Sequence, residues 1–204
     1  MGGIEVLAAQ ARRLKRAAGA EGTPSLFFLT DPERTPDPLA AVRDLPRGAA
    51  VIYRHFGGAD RRRVARALGR LCRVRGLALL IAADPQLAAA AGAQGVHWPE
   101  AWLPAARLPE HGSLVTAAAH GVEGAARAAR YGADAVLLSP IFPTRSSAGR
   151  PPLGLFRASQ VARAAGRPVI ALGGVNAGNA RRLAGRGFAG IAAIDALMPR
   201  APER

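Results

Sequence analysis

The sequence predicts an α/β protein: a single (β/α)8 TIM barrel with an extra N-terminal helix and a truncated C-terminal end. Three observations carry this. Eight short apolar runs follow one another from Ser25 onward, helical patterns separate them, and 204 residues, half of them apolar, supply one well-buried core and too little chain for two ordinary domains. Most of the runs lack strict alternation, as parallel strands covered by helices do. Regular exchange of strand and helix implies right-handed crossovers and a parallel sheet. Eight units close such a sheet, although about 250 residues is the more usual length for this architecture. The loops are therefore short.

Residues 1–24 form the first unit, a helix packed on the barrel, because Ile4, Leu7, Ala8, Ala11, Leu14 and Ala18 fall on one face of Ile4–Ala18. Residues 25–204 form the barrel. Its strands are expected at Ser25–Asp31, Ala50–Phe56, Leu77–Asp84, Gly95–Pro99, Leu114–His120, Ala135–Phe142, Pro168–Gly174 and Gly190–Ala196. A helix over Asp60–Arg75 places Val64, Leu68, Leu71 and Cys72 on one face. Another is expected over Ala177–Arg186, with Asn176 as N-cap and Gly187 as stop. The pentapeptides at Gly92–Val96, Gly132–Val136 and Gly187–Ile191 each end a helix and launch a strand, a repeat of two βα units. Met198–Arg204 is too short for an eighth helix, so the N-terminal helix is expected to close the place that an eighth would occupy.

Composition removes several functions. No apolar run approaches the length of a membrane span, and Arg12, Arg13 and Arg16 interrupt any signal-peptide pattern, so a cytoplasmic protein without membrane contact is expected. Cys72 is the only cysteine, read as a buried small hydrophobe, which excludes internal disulfides and cysteine-rich metal sites. Lys15 is the only lysine, so the barrel has no Schiff-base candidate. The net charge of +14 favours anionic small ligands. Basic residues spread over several segments, with few aromatics to stack on bases, do not point to specific nucleic-acid binding. A homo-oligomer is compatible with this reading.

Functional residues of a barrel sit at the C-terminal ends of its strands. Those positions hold Asp31, Arg54 with His55, Asp84, His97, His120, Thr144–Ser147, Gly173 with Gly174, and Asp195. Gly173-Gly174-Val175-Asn176 would let a phosphate approach the backbone at a helix start. The polar connection Pro143–Pro152 is a candidate lid.

Three motifs, Ser139-Pro140-Ile141-Phe142-Pro143-Thr144, Pro152-Leu153-Gly154-Leu155 and Val169 through Asn176, resemble the thiamine phosphate synthase/TenI family. Leu87–His97 and Gly190–Leu197 extend the resemblance, which runs from about Ser25 to Leu197. It implies a (β/α)8 barrel that binds a small phosphorylated heterocycle. Synthases of this family join a pyrimidine methyl diphosphate to a thiazole phosphate and release pyrophosphate with Mg2+ as cofactor. The family Arg after the second strand matches Arg54, whereas its Lys falls on Phe56. The metal-binding Asp after the third strand falls on Ala83, and a one-residue shift would bring Asp84 into that role. The second metal Asp falls on Trp102, with Glu100 nearby. Ala118 replaces a Ser, and His120 remains. Thr144 and Ser146 keep the loop hydroxyls, Ser147 replaces a Lys, and Arg145 and Arg150 could supply charge. Asp195 replaces a small serine beside the thiazole phosphate. Strand-end position and resemblance together mark His120 and Arg54 as candidate catalytic residues, and His55, His97, Thr144, Arg145, Ser146, Gly173, Gly174 and Asp195 as candidate ligand-binding residues. The departures cluster on the metal and diphosphate half. That pattern suits the TenI branch, whose thiazole tautomerase needs no metal and uses a histidine at the position of His120. A non-catalytic ligand-binding or regulatory barrel is the remaining alternative.

Overall fold

The computed structural model describes residues 2–105, 113–144 and 149–198. Eight strands, β1 (Leu26–Leu29), β2 (Ala50–Tyr53), β3 (Ala78–Ala82), β4 (Gly95–Trp98), β5 (Leu114–Ala119), β6 (Ala135–Leu138), β7 (Val169–Ala171) and β8 (Phe188–Ala193), close into a barrel in chain order. Every neighbouring pair is parallel, and β1 closes the ring on β8 with Phe27 opposite Ala192. The strands end earlier than their apolar runs, because the last residues of each run leave the ladder to shape the rim.

Side chains of alternating parity divide the core in two. Phe27, Leu29, Ile52, Leu80, Leu137 and Ile170 fill the barrel interior. Leu26, Phe28, Val51, Tyr53, Leu79, Ile81, Val136 and Leu138 point outward into the layer beneath the helices. That layer is covered by α1 (Gly3–Ala18), α2 (Pro38–Ala41), α3 (Arg61–Arg75), α4 (Pro85–Ala91), α5 (Val122–Arg130) and α6 (Gly154–Ala164). α1 ends at Gly19, whose φ of 61° suits glycine, and lies mainly against β8 with Leu7, Ala8, Ala11 and Leu14 buried. α3 turns its Ala65, Leu68, Gly69 and Cys72 inward. Gly69 is needed there because a Cβ would strike the Ala91 carbonyl at the end of α4. Burial pushes the Cys72 thiol up to about 12, leaving an inert hydrophobe.

The helix expected over Ala177–Arg186 does not form as an α-helix; Ala180–Leu183 make one short 3₁₀ segment instead. Asparagine side chains take over the local hydrogen bonding. Asn179 Oδ1 accepts from the Asn176 amide at 2.9 Å, and its Nδ2 donates to the Gly174 carbonyl at 2.8 Å. Such side-chain bonds compete directly with helical ones. Asn176 is therefore a turn residue, and no long helix starts behind Gly174.

Candidate active site

Side-chain parity decides what reaches the mouth of the barrel. The inward series that begins with Leu29, Ile52, Leu80 and Leu137 continues upward through Asp31, Arg54, Ala82 and Ser139, and these line a cavity of about 1160 Å3. His97, Ala118, His120, Thr144, Gly173 and Asp195 join them. Small residues at Ala82 and Ala118 leave the space that larger side chains fill lower in the barrel. A cavity of this size accepts an ordinary small-molecule ligand.

One wall is a chain of alternating charges. Arg54 is held by its Nε, which donates to the Thr30 carbonyl at 2.9 Å, while its amide donates to Thr30 Oγ1 at 3.0 Å. Asp31 lies between Arg34, at 2.8 Å, and Arg54, at 3.5 Å. Arg34 reaches on to Asp195 at 3.6 Å. The hydrogen bond from Arg34 holds the Asp31 carboxyl below the usual carboxylate range, and Asp31 raises Arg34 in return. Burial lowers Arg54, with Asp31 opposing it. Arg34 escaped the sequence reading; the signal was its spacing of three from Asp31, which lets one turn after β1 close the pair.

A second wall holds a histidine and a carboxylate. Glu100, in a 3₁₀ segment after β4 (Glu100–Ala105), accepts from His120 Nδ1 at 2.6 Å and from Arg127 Nη2 of α5 at 3.0 Å. Gly124 makes room for this carboxylate, since a Cβ there would lie 2.6 Å from Glu100 Oε1. A carboxylate only accepts, so Nδ1 carries the hydrogen, and in the neutral ring Nε2 is the nitrogen with a free lone pair. Deeper in, His97 is 4% exposed and hydrogen-bonded through Nδ1 to Thr116 Oγ1 at 2.9 Å. Burial, helped by Arg54, pushes its imidazole down to about 3, so His97 is neutral.

Six of the candidate catalytic and ligand-binding residues, Arg54, His97, His120, Thr144, Gly173 and Asp195, line the same cavity, as do Asp31, Glu100 and Arg150. Gly174 lines an adjoining pocket with Gly173 and Thr144. Two others are placed elsewhere. His55 has the parity of Tyr53, stacks on that ring at 5.0 Å, and does not line the cavity. Its pKa is lowered by burial. Asp84 has the inward parity, but Ala83 adopts a left-handed φ of 54° and turns the chain first. Asp84 then caps α4 through the Leu87 amide at 2.8 Å and pairs with Arg61 at 2.6 Å. Arg145, Ser146 and Ser147 lie outside the described residues, as does the middle of the connection Pro143–Pro152.

These donors do not fit Mg2+, which needs oxygen ligands free to face it. Both Asp84 oxygens and both Glu100 oxygens are engaged by nitrogen donors. Among the described residues no group of three or more His, Cys, Asp or Glu gathers as a metal site. Ala83 and Trp102, at the two expected metal positions, contribute no side-chain oxygen.

Residues 26–197 match the family described as thiamine monophosphate synthase. The thiamine-phosphate synthase of Chlorobium luteolum is 37% identical over 182 residues, covering 86% of this chain and 85% of that protein. The thiamine-phosphate synthase of Alcanivorax borkumensis is 35% identical over 183 residues, covering 85% and 84%. Among solved structures, a thiamine phosphate pyrophosphorylase from Pyrococcus furiosus superposes with a TM-score of 0.70 at 24% identity, covering 84% of this chain and 85% of that one. With its closed parallel barrel and a sequence match across nearly all of it, this chain belongs to the thiamine monophosphate synthase family.

Proposed function

We propose that this chain is an enzyme of thiamine biosynthesis that binds a thiazole phosphate-like ligand at the rim and moves a proton on its ring. The observation that carries this reading is the His120–Glu100 hydrogen bond inside the cavity. Glu100 fixes the tautomer and the ring plane, and Arg127 fixes Glu100. His120 Nε2 takes a proton from one position of the heterocycle, the ring electron pair shifts, and the same proton returns at another position. No atom or electron is gained or lost, so no oxidant or metal is required. The phosphate would lie toward Gly173 and Gly174, where Arg34 is the cation among the described residues of the adjoining pocket. Arg54 would add positive potential from the neighbouring strand.

The test is isomerisation of a thiazole phosphate tautomer followed by proton NMR in deuterated buffer. His120→Gln should slow it by about 100-fold or more, the range for loss of a general base. Glu100→Gln should lower the rate less and displace its pH profile. Wild-type protein that leaves the tautomer unchanged would sink the proposal. The 37% identity to a thiamine-phosphate synthase over 86% of the chain favours a second reading, condensation with a pyrimidine methyl diphosphate. Incubation with both precursors and Mg2+, with pyrophosphate release as readout, decides between them.

A further inference from the structure

Phe56 and Trp102 are large apolar side chains left 47% and 48% exposed, yet they touch each other. Their ring centroids are 5.7 Å apart at an interplanar angle of 65°, an edge-to-face contact. Phe56 lines the cavity, near the small side chains of Ala82 and Ala118 and the His120–Glu100 pair. The guanidinium of Arg61 lies 5.7 Å from the Phe56 centroid. That cation is already engaged, donating to Asp84 at 2.6 Å and to the Ala82 carbonyl at 3.0 Å. Phe56 lines the cavity, and Trp102, outside that lining, packs against its ring, so an exposed aromatic pair stands at the edge of a concave site, as binding surfaces do. The rim beside β2 and β4 therefore presents π faces, and the charges around it are paired among themselves.

We propose that Phe56 and Trp102 form a specificity wall that stacks an uncharged planar ring and disfavours a metal-bound diphosphate. This rests on the reading that the cavity is the ligand site. The wall follows β2 and β4, whereas the Arg34–Asp195 pair follows β1 and β8, so two ligand parts of different character meet different sectors of the rim. A magnesium diphosphate placed here would find no free cation on Arg61 and no free oxygen on Asp84 or Glu100. An uncharged heteroaromatic ring would instead bury its face and desolvate nothing charged.

The test uses the hydroxymethylpyrimidine and the same pyrimidine as its diphosphate with Mg2+, titrated against the fluorescence of Trp102. Trp98 is buried, and Trp102→Phe identifies which signal belongs to the rim. The free alcohol should quench Trp102 and saturate, and the diphosphate with Mg2+ should bind no tighter. Phe56→Ala should weaken the alcohol roughly tenfold, as loss of a stacking face does. Phe56→Leu should recover little of this, and Phe56→Lys should turn the preference toward the diphosphate. Thiazole phosphate, followed by calorimetry, should bind Phe56→Ala as it binds wild type. Tighter binding of the diphosphate to wild type, or an unchanged alcohol affinity in Phe56→Ala, would overturn the wall. If thiazole phosphate binds and the pyrimidine alcohol does not, the wall falls and the cavity reading stands. If neither binds, both fall.

Discussion

Asp195 shows how one neighbour changes the meaning of a residue. From sequence it is a carboxylate where a phosphate should sit; in the fold, Arg34 stands 3.6 Å away and offsets it. Arg34 also serves Asp31, so removing Asp195 releases part of a cation toward the Gly173–Gly174 pocket. Asp195→Ser should therefore tighten thiazole phosphate binding by about fivefold, ~1 kcal/mol, a figure kept small because Asp195 is half exposed. Calorimetry at two salt concentrations checks it, and the gain should shrink at high salt. An unchanged affinity would make Asp195 a recognition group. Ala83 gives a second residue-scale expectation. Its left-handed φ of 54° costs a non-glycine residue roughly 1 kcal/mol. Ala83→Gly relieves that strain and frees the unfolded chain, so urea denaturation should show a net change within about 1 kcal/mol, on the stabilising side. The rim was legible from sequence only as far as parity. His55 and Arg54 adjoin in the chain, and one-residue alternation sends the first to the helical layer and the second to the cavity.

At the scale of elements, apolar runs announced all eight strands because burial on both faces needs continuous hydrophobicity. Two of the three repeated strand starts, Gly92-Ala93-Gln94 and Gly132-Ala133-Asp134, carry a function the pattern did not reveal. Gln94 Oε1 accepts from the Leu79 amide at 2.6 Å and Asp134 Oδ2 from the Val115 amide at 2.7 Å, each fastening the start of the preceding strand. The third copy has Ala189 at that place, and there the ladder slips between Val169 and Ile170. The segment after β7 was misread for a physical reason: the apolar spacing of Ala180, Leu183 and Ala184 fits a helix, but Asn176 and Asn179 bind the backbone locally. Gly173 and Gly174 matter chiefly through their approach to the β6 connection. A Cβ on Gly173 would lie 2.7 Å from Pro140 Cα, at a φ of 91°. Gly173→Ala should cost about 3 kcal/mol, combining strain with overpacking against backbone. Thermal unfolding measures this, and a loss under about 1 kcal/mol would mean that the two loops separate easily.

The barrel as a whole buries a titratable group in the wall of its cavity, and acid should find it. His97 is nearly inaccessible, and its imidazole is pushed down to about 3 from 6.5. Between those values the unfolded chain holds a proton that the folded chain refuses, so stability falls as pH drops through that window. Above pH 6.5 the full stability is present, and below about 3 this contribution levels off. The slope approaches ~1.4 kcal/mol per pH unit, or roughly 5 kcal/mol across the window. Asp31 behaves differently: its lowered carboxyl stabilises above about pH 3.8 and loses that contribution only as pH falls further, so above pH 3.8 the His97 effect stands apart from it. His97→Asn keeps a hydrogen-bonding group near the Nδ1 position for Thr116 and removes the titration. Urea unfolding at pH 7 and again near pH 4.5 should show wild type losing about 2–3 kcal/mol more than the variant. His55, also lowered by burial, is common to both proteins and cancels. Parallel pH profiles would mean that the barrel opens enough to protonate His97 without unfolding, and the interior would then have to be regarded as accessible to water.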